Sequence, residues 1–394
     1  MVTLSTADNA LKEVYLEVLA NQLNTSINPL LAKFNQTTSD VWGKEIRKLA
    51  PYGINGGIGA GTEDGSLPAT AGSNYAQFVL TLKNLYGRVE ISDKAIRASE
   101  NSTGAFVNLL NNEMESLVQA SAFNFGRMLY GDGSGFLADI ATNTTSQVVV
   151  DKVTNLIEGM IVDVVSENGV AIKTGLRIAS IDRSNKTVNF TTNALTDGAF
   201  DSQNYKLCVQ GSYNNEITGL GAIFNTTGTL YGLDRTAYPW LTPYMKDISS
   251  GDTKTDISEV AMQTAIDELE EVANSKVDFI VCSAGVKRNY QNYLASYRSN
   301  IDIMNLEGGF KAISYNGIPL VSDRFVPANT MYLLNTKDFN MHQLCDWKWL
   351  ESEDGRVLRQ TAGRPTFEAT LVKYADIICN KPSGQAKITG IKES

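Results

Sequence analysis

The chain of 394 residues contains a single histidine, His342, and only four cysteines, Cys208, Cys282, Cys345 and Cys379. One imidazole leaves a Ser-His-Asp or Cys-His arrangement a single residue to use, and it rules out any multi-histidine metal centre. The cysteines lack CxxC spacing and lie in apolar runs such as 279–282. They read as reduced core residues of a cytosolic product. Basic residues are also scarce: 34 Lys+Arg stand against 43 Asp+Glu, a net charge of -9. Gripping DNA through its phosphates takes clustered cations, so tight sequence-independent DNA binding is disfavoured. Long apolar runs are missing, and Met1 to Asp8 lacks the basic and apolar regions of a secretory signal. No membrane association and no export by that route are expected. The sequons at Asn143 and Asn225 then reflect a general richness in Asn and Thr.

Catalytic signatures are lacking too. Neither 57–61 nor 131–135, both glycine-rich, sits between a buried strand and a helix start, and no Gly-Lys-Ser/Thr follows. Gly-x-Ser-x-Gly does not occur as a strand-to-helix elbow. His342, in a strand-like run, reads as a packed or rim histidine. Glu268, Glu270 and Glu271 read as the solvated face of a helix, and Glu351, Glu353 and Asp354 as a turn cluster without calcium-loop spacing. No catalytic, cofactor or metal site assembles.

What is present is organisation. Leu11, Val14, Tyr15, Val18, Leu19, Leu23, Ile27, Leu30 and Leu31 form a helical stripe on an N-terminal arm. Residues 51–74 carry seven glycines and little apolar periodicity, so they describe a long excursion. It returns through two strand-like runs, 75–83 and 87–91, and is expected to end as a β-hairpin. Helical spacing from Thr103 to Tyr130 predicts a helix of roughly 40 Å, stopped at Gly131. Short β-rich runs between 145 and 222 predict a small barrel or sandwich. A helix over 256–273 capped by Asp256, a strand at 277–282, a helix over 286–297 and a strand run through 312–321 make an α/β unit, and β-structure follows from Met331. Trp347 and Trp349 share one side of a strand, as a sheet-face pair or as an anchor for a neighbouring subunit.

Three stretches together resemble the major capsid proteins of tailed bacteriophages, the family with the Hong Kong 97 capsid fold. Leu82-Lys83-Asn84-Leu85-Tyr86-Gly87-Arg88-Val89-Glu90-Ile91-Ser92-Asp93-Lys94-Ala95 is similar to the segment where that family's extended loop returns. Leu129-Tyr130-Gly131-Asp132-Gly133 is similar to the end of its spine helix. Asn316 to Thr330, with Gly317-Ile318-Pro319-Leu320-Val321, resembles its Gly-x-Pro-Val strand and the turn after it. The resemblance covers nearly the whole chain except 145–222.

It implies an α+β capsid fold: an N-terminal arm (1–50), an extended loop (51–91), a spine helix with part of a peripheral domain (92–144), a β-rich insertion (145–222), an axial domain (223–340) and peripheral C-terminal strands (341–394). It implies no enzyme and no cofactor, but a shell subunit that forms pentamers and hexamers of an icosahedral head around double-stranded DNA, without sequence-specific binding. A separate scaffold, a portal and a possible decoration protein are the implied partners, with assembly in the bacterial host cytoplasm and residence in the virion. Candidate inter-subunit contacts are Tyr52, Arg88, Glu90, Lys287, Arg288, Tyr290, Arg298, Trp347 and Trp349. The loop holds one lysine, Lys83, so the type member's covalent cross-link does not carry over. Alternatives are an encapsulin-like compartment, a β-rich tail or receptor-binding protein and, third, an enzyme.

Overall fold

The structure, a computed structural model, describes residues 28–38, 41, 45–94, 103–192, 195–196, 198–200, 205–296, 303–305, 311–351, 355 and 357–393. The helical stripe expected before residue 28 lies outside the described residues. Along the chain run β1 (Asn35–Thr37), β2 (Glu45–Tyr52), β3 (Asn74–Thr81), β4 (Lys83–Ser92) and helix α1 (Thr103–Met128). Six strands follow: β5 (Phe136–Asn143), β6 (Gln147–Val150), β7 (Ile161–Ser166), β8 (Ala171–Asp182), β9 (Thr187–Phe190) and β10 (Tyr205–Val209). Past a small pair, β11 (Thr229–Leu230) and β12 (Leu233–Asp234), come β13 (Tyr244–Asp247), α2 (Glu259–Ala273), β14 (Phe279–Cys282) and α3 (Ala284–Ser296). The remaining strands are β15 (Ile303–Asn305), β16 (Lys311–Tyr315), β17 (Ile318–Ser322), β18 (Met331–Leu334), β19 (Phe339–Trp349), β20 (Arg359–Gln360), β21 (Thr366–Cys379) and β22 (Ala386–Thr389).

Helix α1 is the spine. At 1.5 Å per residue its 26 residues run about 39 Å. β4 alternates strictly, burying Leu85, Gly87, Val89 and Ile91 beneath the helix. Gly87 permits the close approach, because a Cβ there would lie 3.2 Å from Leu117. β4 pairs along its length with β21, whose other edge carries β19 and β20, and β1 joins β19 in parallel. The run at 87–91 therefore belongs to this five-stranded sheet. The hairpin is made instead by β2 and β3, in register from Glu45 opposite Thr81 to Tyr52 opposite Asn74.

A second, seven-stranded sheet has the order β13-β22-β18-β14-β17-β16-β15. β14 and β18 are buried on both faces, which explains their unbroken apolar sequences. Ile280, Cys282, Met331 and Leu333 face α2 and α3, whereas Phe279, Val281, Tyr332 and Leu334 face the core that holds the spine. Two expectations need correction here. Residues 386–389 do not lie with the peripheral strands but fill a slot in this sheet between β13 and β18. The cap of α2 is Ser258, whose hydroxyl accepts from the Ala261 amide, while Asp256 accepts from Asn289 of α3.

The six strands β5 to β10 close into an antiparallel barrel with its own apolar filling, including Ile140, Val148, Val162, Val164, Ile178 and Leu207. Closure removes free sheet edges. The barrel starts at Phe136, nine residues before the expected boundary at 145, since the turn after the spine leads straight into β5. Asn143 is buried as a tie, its amide donating to the Thr196 carbonyl (2.7 Å) and its oxygen accepting from the Phe200 amide (2.7 Å). From β10 the chain returns to pack backbone on backbone against the spine's end. A Cβ on Gly219 would stand 2.2 Å from the Met128 carbonyl oxygen and 2.6 Å from that of Gly131. Gly219→Ala is expected to destabilise the chain by about 1–3 kcal/mol, because backbone at a helix end cannot move aside, and urea denaturation measures it.

Candidate assembly surfaces

Two kinds of surface are built from these elements: parts the chain covers itself, and parts it leaves open. The β2/β3 hairpin belongs largely to the first. Its inward residues Ile46, Ala50, Ala76, Phe78 and Leu80 are buried in the chain's own core. The Tyr52 ring stacks on Trp240 (5.3 Å), Phe78 packs between Trp240 and Tyr231, and the Val79 amide donates to the Tyr231 carbonyl. Tyr52 thus serves as an intrachain aromatic anchor. These paired strands are therefore sheltered by their own chain.

The tip beyond them is different. Every residue from Gly53 to Tyr75 is exposed, and the tip lifts Ile54 (75% exposed), Ile58 (75%) and Leu67 (90%) into solvent. Leu49 and Tyr75 on the outer hairpin face are open as well. Several exposed large apolar side chains on one extended limb mark an interaction surface more than a solitary exposed leucine would.

On the outer face of the five-stranded sheet, Arg88 reaches diagonally to an ion pair with Glu368, which lies directly opposite Glu90 in register. The arginine offsets the repulsion of two facing carboxylates. Both Arg88 and Glu90 are exposed, and Tyr86 beside them meets the Tyr374 ring edge-on. In the axial α/β unit, Arg288 is exposed and Lys287 half-buried on α3, and Arg298 lies outside the described residues.

Three candidates are removed from the surface. Tyr290 is 1% exposed, enclosed in the core beneath α3. Trp347 and Trp349 are 5% and 2% exposed, with Trp347 edge-on to Phe125 of the spine. Their shared side of β19 faces inward because the sheet packs that side on α1. Conversely, Val260 and Val272 stand exposed on α2, off the buried stripe of Met262, Ala265, Ile266, Leu269 and Ala273.

The interior holds an unusual amount of charge where the strap that leaves the barrel after β10 (residues 210–219), the spine and β21 meet. Arg127 of the spine and Glu216 of the strap form a buried ion pair. Lys373, fully buried, donates to Gln343 Oε1 (3.0 Å) and Asp346 Oδ1 (2.6 Å) and lies over the Phe125 ring. Burial pulls its ammonium below the ordinary lysine range, and the Asp346 carboxylate works against that shift. Asp376 accepts from the Thr218 amide (2.6 Å) and its own neighbour Ile377 (2.8 Å), yet burial pushes its carboxyl up to about 7. Asp323, which accepts from the Tyr130 hydroxyl (2.9 Å), is raised by burial as well. Cys208, Cys282 and Cys379 are buried free thiols, Cys208 and Cys282 pushed up to about 12 by burial. A cleft of about 760 Å³ opens between β4, the spine and the barrel, with Arg88, Glu158 and Arg177 as its charged lining. Among the described residues no cluster of His, Cys, Asp and Glu could hold a metal, and no helix is long and apolar enough to cross a membrane.

No protein-family model and no curated protein sequence matches the chain. Solved structures do. The capsid asymmetric unit of Cyanophage A-1(L) superposes with a TM-score of 0.56 at 13% identity, over 93% of each chain. The holo-SrpI encapsulin complex of Synechococcus elongatus PCC 7942 gives 0.47 at 9% identity, over 93% of this chain and 89% of that one. The capsid of the native GTA particle gives 0.46 at 11% identity, over 92% and 90%. The first of these carries the assignment: spine, peripheral sheet and axial unit together are the Hong Kong 97-type capsid fold.

Two outcomes follow from the buried charges. Glu216→Ala leaves Arg127 buried without its counter-charge and is expected to cost about 3–5 kcal/mol in chemical denaturation. A carboxyl raised on folding stabilises most when protonated, below about pH 4, and that contribution disappears as pH climbs through about 7. Wild-type melting temperature is therefore expected to carry a decline from this group between about pH 4 and pH 7, and Asp376→Asn to flatten it; an unchanged slope in the variant would contradict the assignment.

Proposed function

We propose that this chain, with its Hong Kong 97-type fold, is the major subunit of a phage head: it joins into pentamers and hexamers and thence into a closed icosahedral shell around double-stranded DNA. The observation that carries the reading is the tip at 53–73, whose apolar side chains Ile54, Ile58 and Leu67 stand exposed on an extended limb. A limb of that kind is explained when a sister subunit receives it. Heterologous contacts that close on themselves build rings, and a specific boundary buries about 1,600 Å² or more. A subunit held by several neighbours leaves only when all release together, so individually modest contacts suffice.

The charge balance supports a container for DNA in which the wall does not grip its contents. A net charge of -9 disfavours phosphate neutralisation, which lets the duplex slide during filling. In this reading Arg88 and Glu90 sit at a subunit boundary and the segment 287–298 borders the ring axis. Scaffold and portal are separate proteins, and a decoration protein is a possible further partner. The assembled particle forms in the bacterial host cytoplasm and its residence is the virion.

Deletion of residues 53–72 is expected to leave a folded, soluble monomer that makes no shells, as seen by negative-stain microscopy and sedimentation. Normal particles from the variant would refute the proposal. Wild-type particles that enclose protein instead of nucleic acid would move the assignment to an encapsulin-like compartment, and rods or trimers would move it to a tail protein.

A further inference from the structure

Strand β4 is an edge. It pairs with β21 on one side, and among the described residues no strand lies on its other side. The Asp93 amide donates to the Pro365 carbonyl across that ladder, so by antiparallel alternation the odd-numbered residues turn their N–H and C=O groups to β21. Asn84, Tyr86, Arg88 and Glu90 turn theirs outward. Residues from both faces of β4, Leu85 and Gly87 as well as Asn84, Tyr86 and Arg88, line the cleft of about 760 Å³, which sets that cleft along the open edge. Leu117 and Phe123 of the spine form one wall, and Ile157, Met160 and Ile161 of the barrel form the other.

On the barrel side of the lining, Arg177 is exposed on β8 and makes no ion pair or side-chain hydrogen bond among the described residues. Glu158, also in the lining, is faced by Arg183 at 3.8 Å, and Arg88 is paired with Glu368. The cleft thus combines apolar walls, an unpaired strand edge and one uncompensated cation. The tip at 53–73 offers the matching set. Ile54, Ile58 and Leu67 are exposed on it, Glu63 and Asp64 are its charges, and it contains no lysine, arginine or histidine. Its backbone makes few bonds of its own, the Gly65 amide donating to the Thr62 carbonyl and the Gly57 amide to the Asn55 side chain. Glu63, Asp64 and Leu67 fall within five residues, the span of β4 from Asn84 to Arg88, which is about 16 Å.

The chain's own tip does not reach this cleft. Eight residue pairs of β2 and β3, about 26 Å of ladder, separate it from the base where β4 begins, and the stacking of Tyr52 and Phe78 on Trp240 holds that ladder in place. We propose that the barrel is the outer jaw of a socket whose occupant is the tip of a second copy of this chain. Leu67 enters between the spine and barrel walls, Glu63 and Asp64 approach Arg177, and the tip backbone pairs with the open edge of β4. The barrel thereby gains a task, because the spine and β4 without it would leave the limb half uncovered. Such a contact is heterologous, since the socket of one copy takes the limb of the next. Strand addition at the edge supplies backbone hydrogen bonds, and the charges select which segment enters. The inference rests on the shell reading above and adds to it the receiving surface and the role of the barrel.

A disulfide reads the contact directly. Leu67→Cys with Ile161→Cys in one chain is expected to give a ladder of covalent oligomers on non-reducing gels once assembled particles are oxidised with diamide, whereas either single variant stays monomeric. Charge reversal reads its strength. Arg177→Glu, and separately Glu63→Arg with Asp64→Arg, are each expected to lower the yield of shells in sedimentation at least about tenfold with the circular-dichroism spectrum unchanged, and the three substitutions together to restore it. Should a reversal fail to fold, the disulfide decides alone. Shells of the double-cysteine variant without an intersubunit disulfide, a disulfide closed within one chain, or wild-type shell yields from either folded reversal overturn the inference and leave the shell reading standing. Absence of shells from the wild-type protein overturns that reading and the inference with it.

Discussion

The antiparallel ladder between β4 and β21 is the constraint on which the rest of the molecule depends. It joins positions as far apart as Arg88 and Glu368, 280 residues in sequence. Bringing such distant segments together costs closure entropy that local contacts cannot recover. Recovery comes from area: the inner face of β4 packs on the spine, and β21 continues beyond β4 to carry β19, whose Trp347 presses on the same helix. With that ladder in place the barrel, the hairpin and the axial unit all have fixed points of departure.

The polar groups buried around this junction share a logic. Arg127, Glu216, Lys373 and Asp376 come from the spine, the strap leaving the barrel and β21, the three elements that must find one another late in the chain's course. Apolar contacts alone would tolerate a shifted register between them. A buried charge is satisfied in one arrangement and costly in every other, so these residues favour uniqueness over strength.

Much of this was legible in the residues, and the failures have physical causes. The spine was readable because its stripe runs over many turns and ends at glycines, and β14 because a continuous apolar run reports burial on both faces. The pairing of 87–91 was misread because alternation reveals which side of a strand is buried and says nothing about its partner. β22 was missed for a related reason: Ala386-Lys387-Ile388-Thr389 is four residues long, too short for periodicity to stand out. Trp347 and Trp349 looked equally suited to core or contact, since a tryptophan pair reports area to be covered and not which molecule covers it. Surface candidates such as Arg88 and Arg288 drew on a resemblance, because an isolated exposed cation has no pattern of its own.

The slot filled by β22 has a consequence for timing. Ribosomes deliver the chain from its first residue, and the seven-stranded sheet stays divided, β13 on one side and β18 on the other, until residues 386–389 emerge. A nascent polypeptide therefore holds every strand of its barrel while its axial sheet is still open. A chain cut short of residue 386 keeps two open strand edges where β22 would lie, and such edges are templates for unwanted pairing.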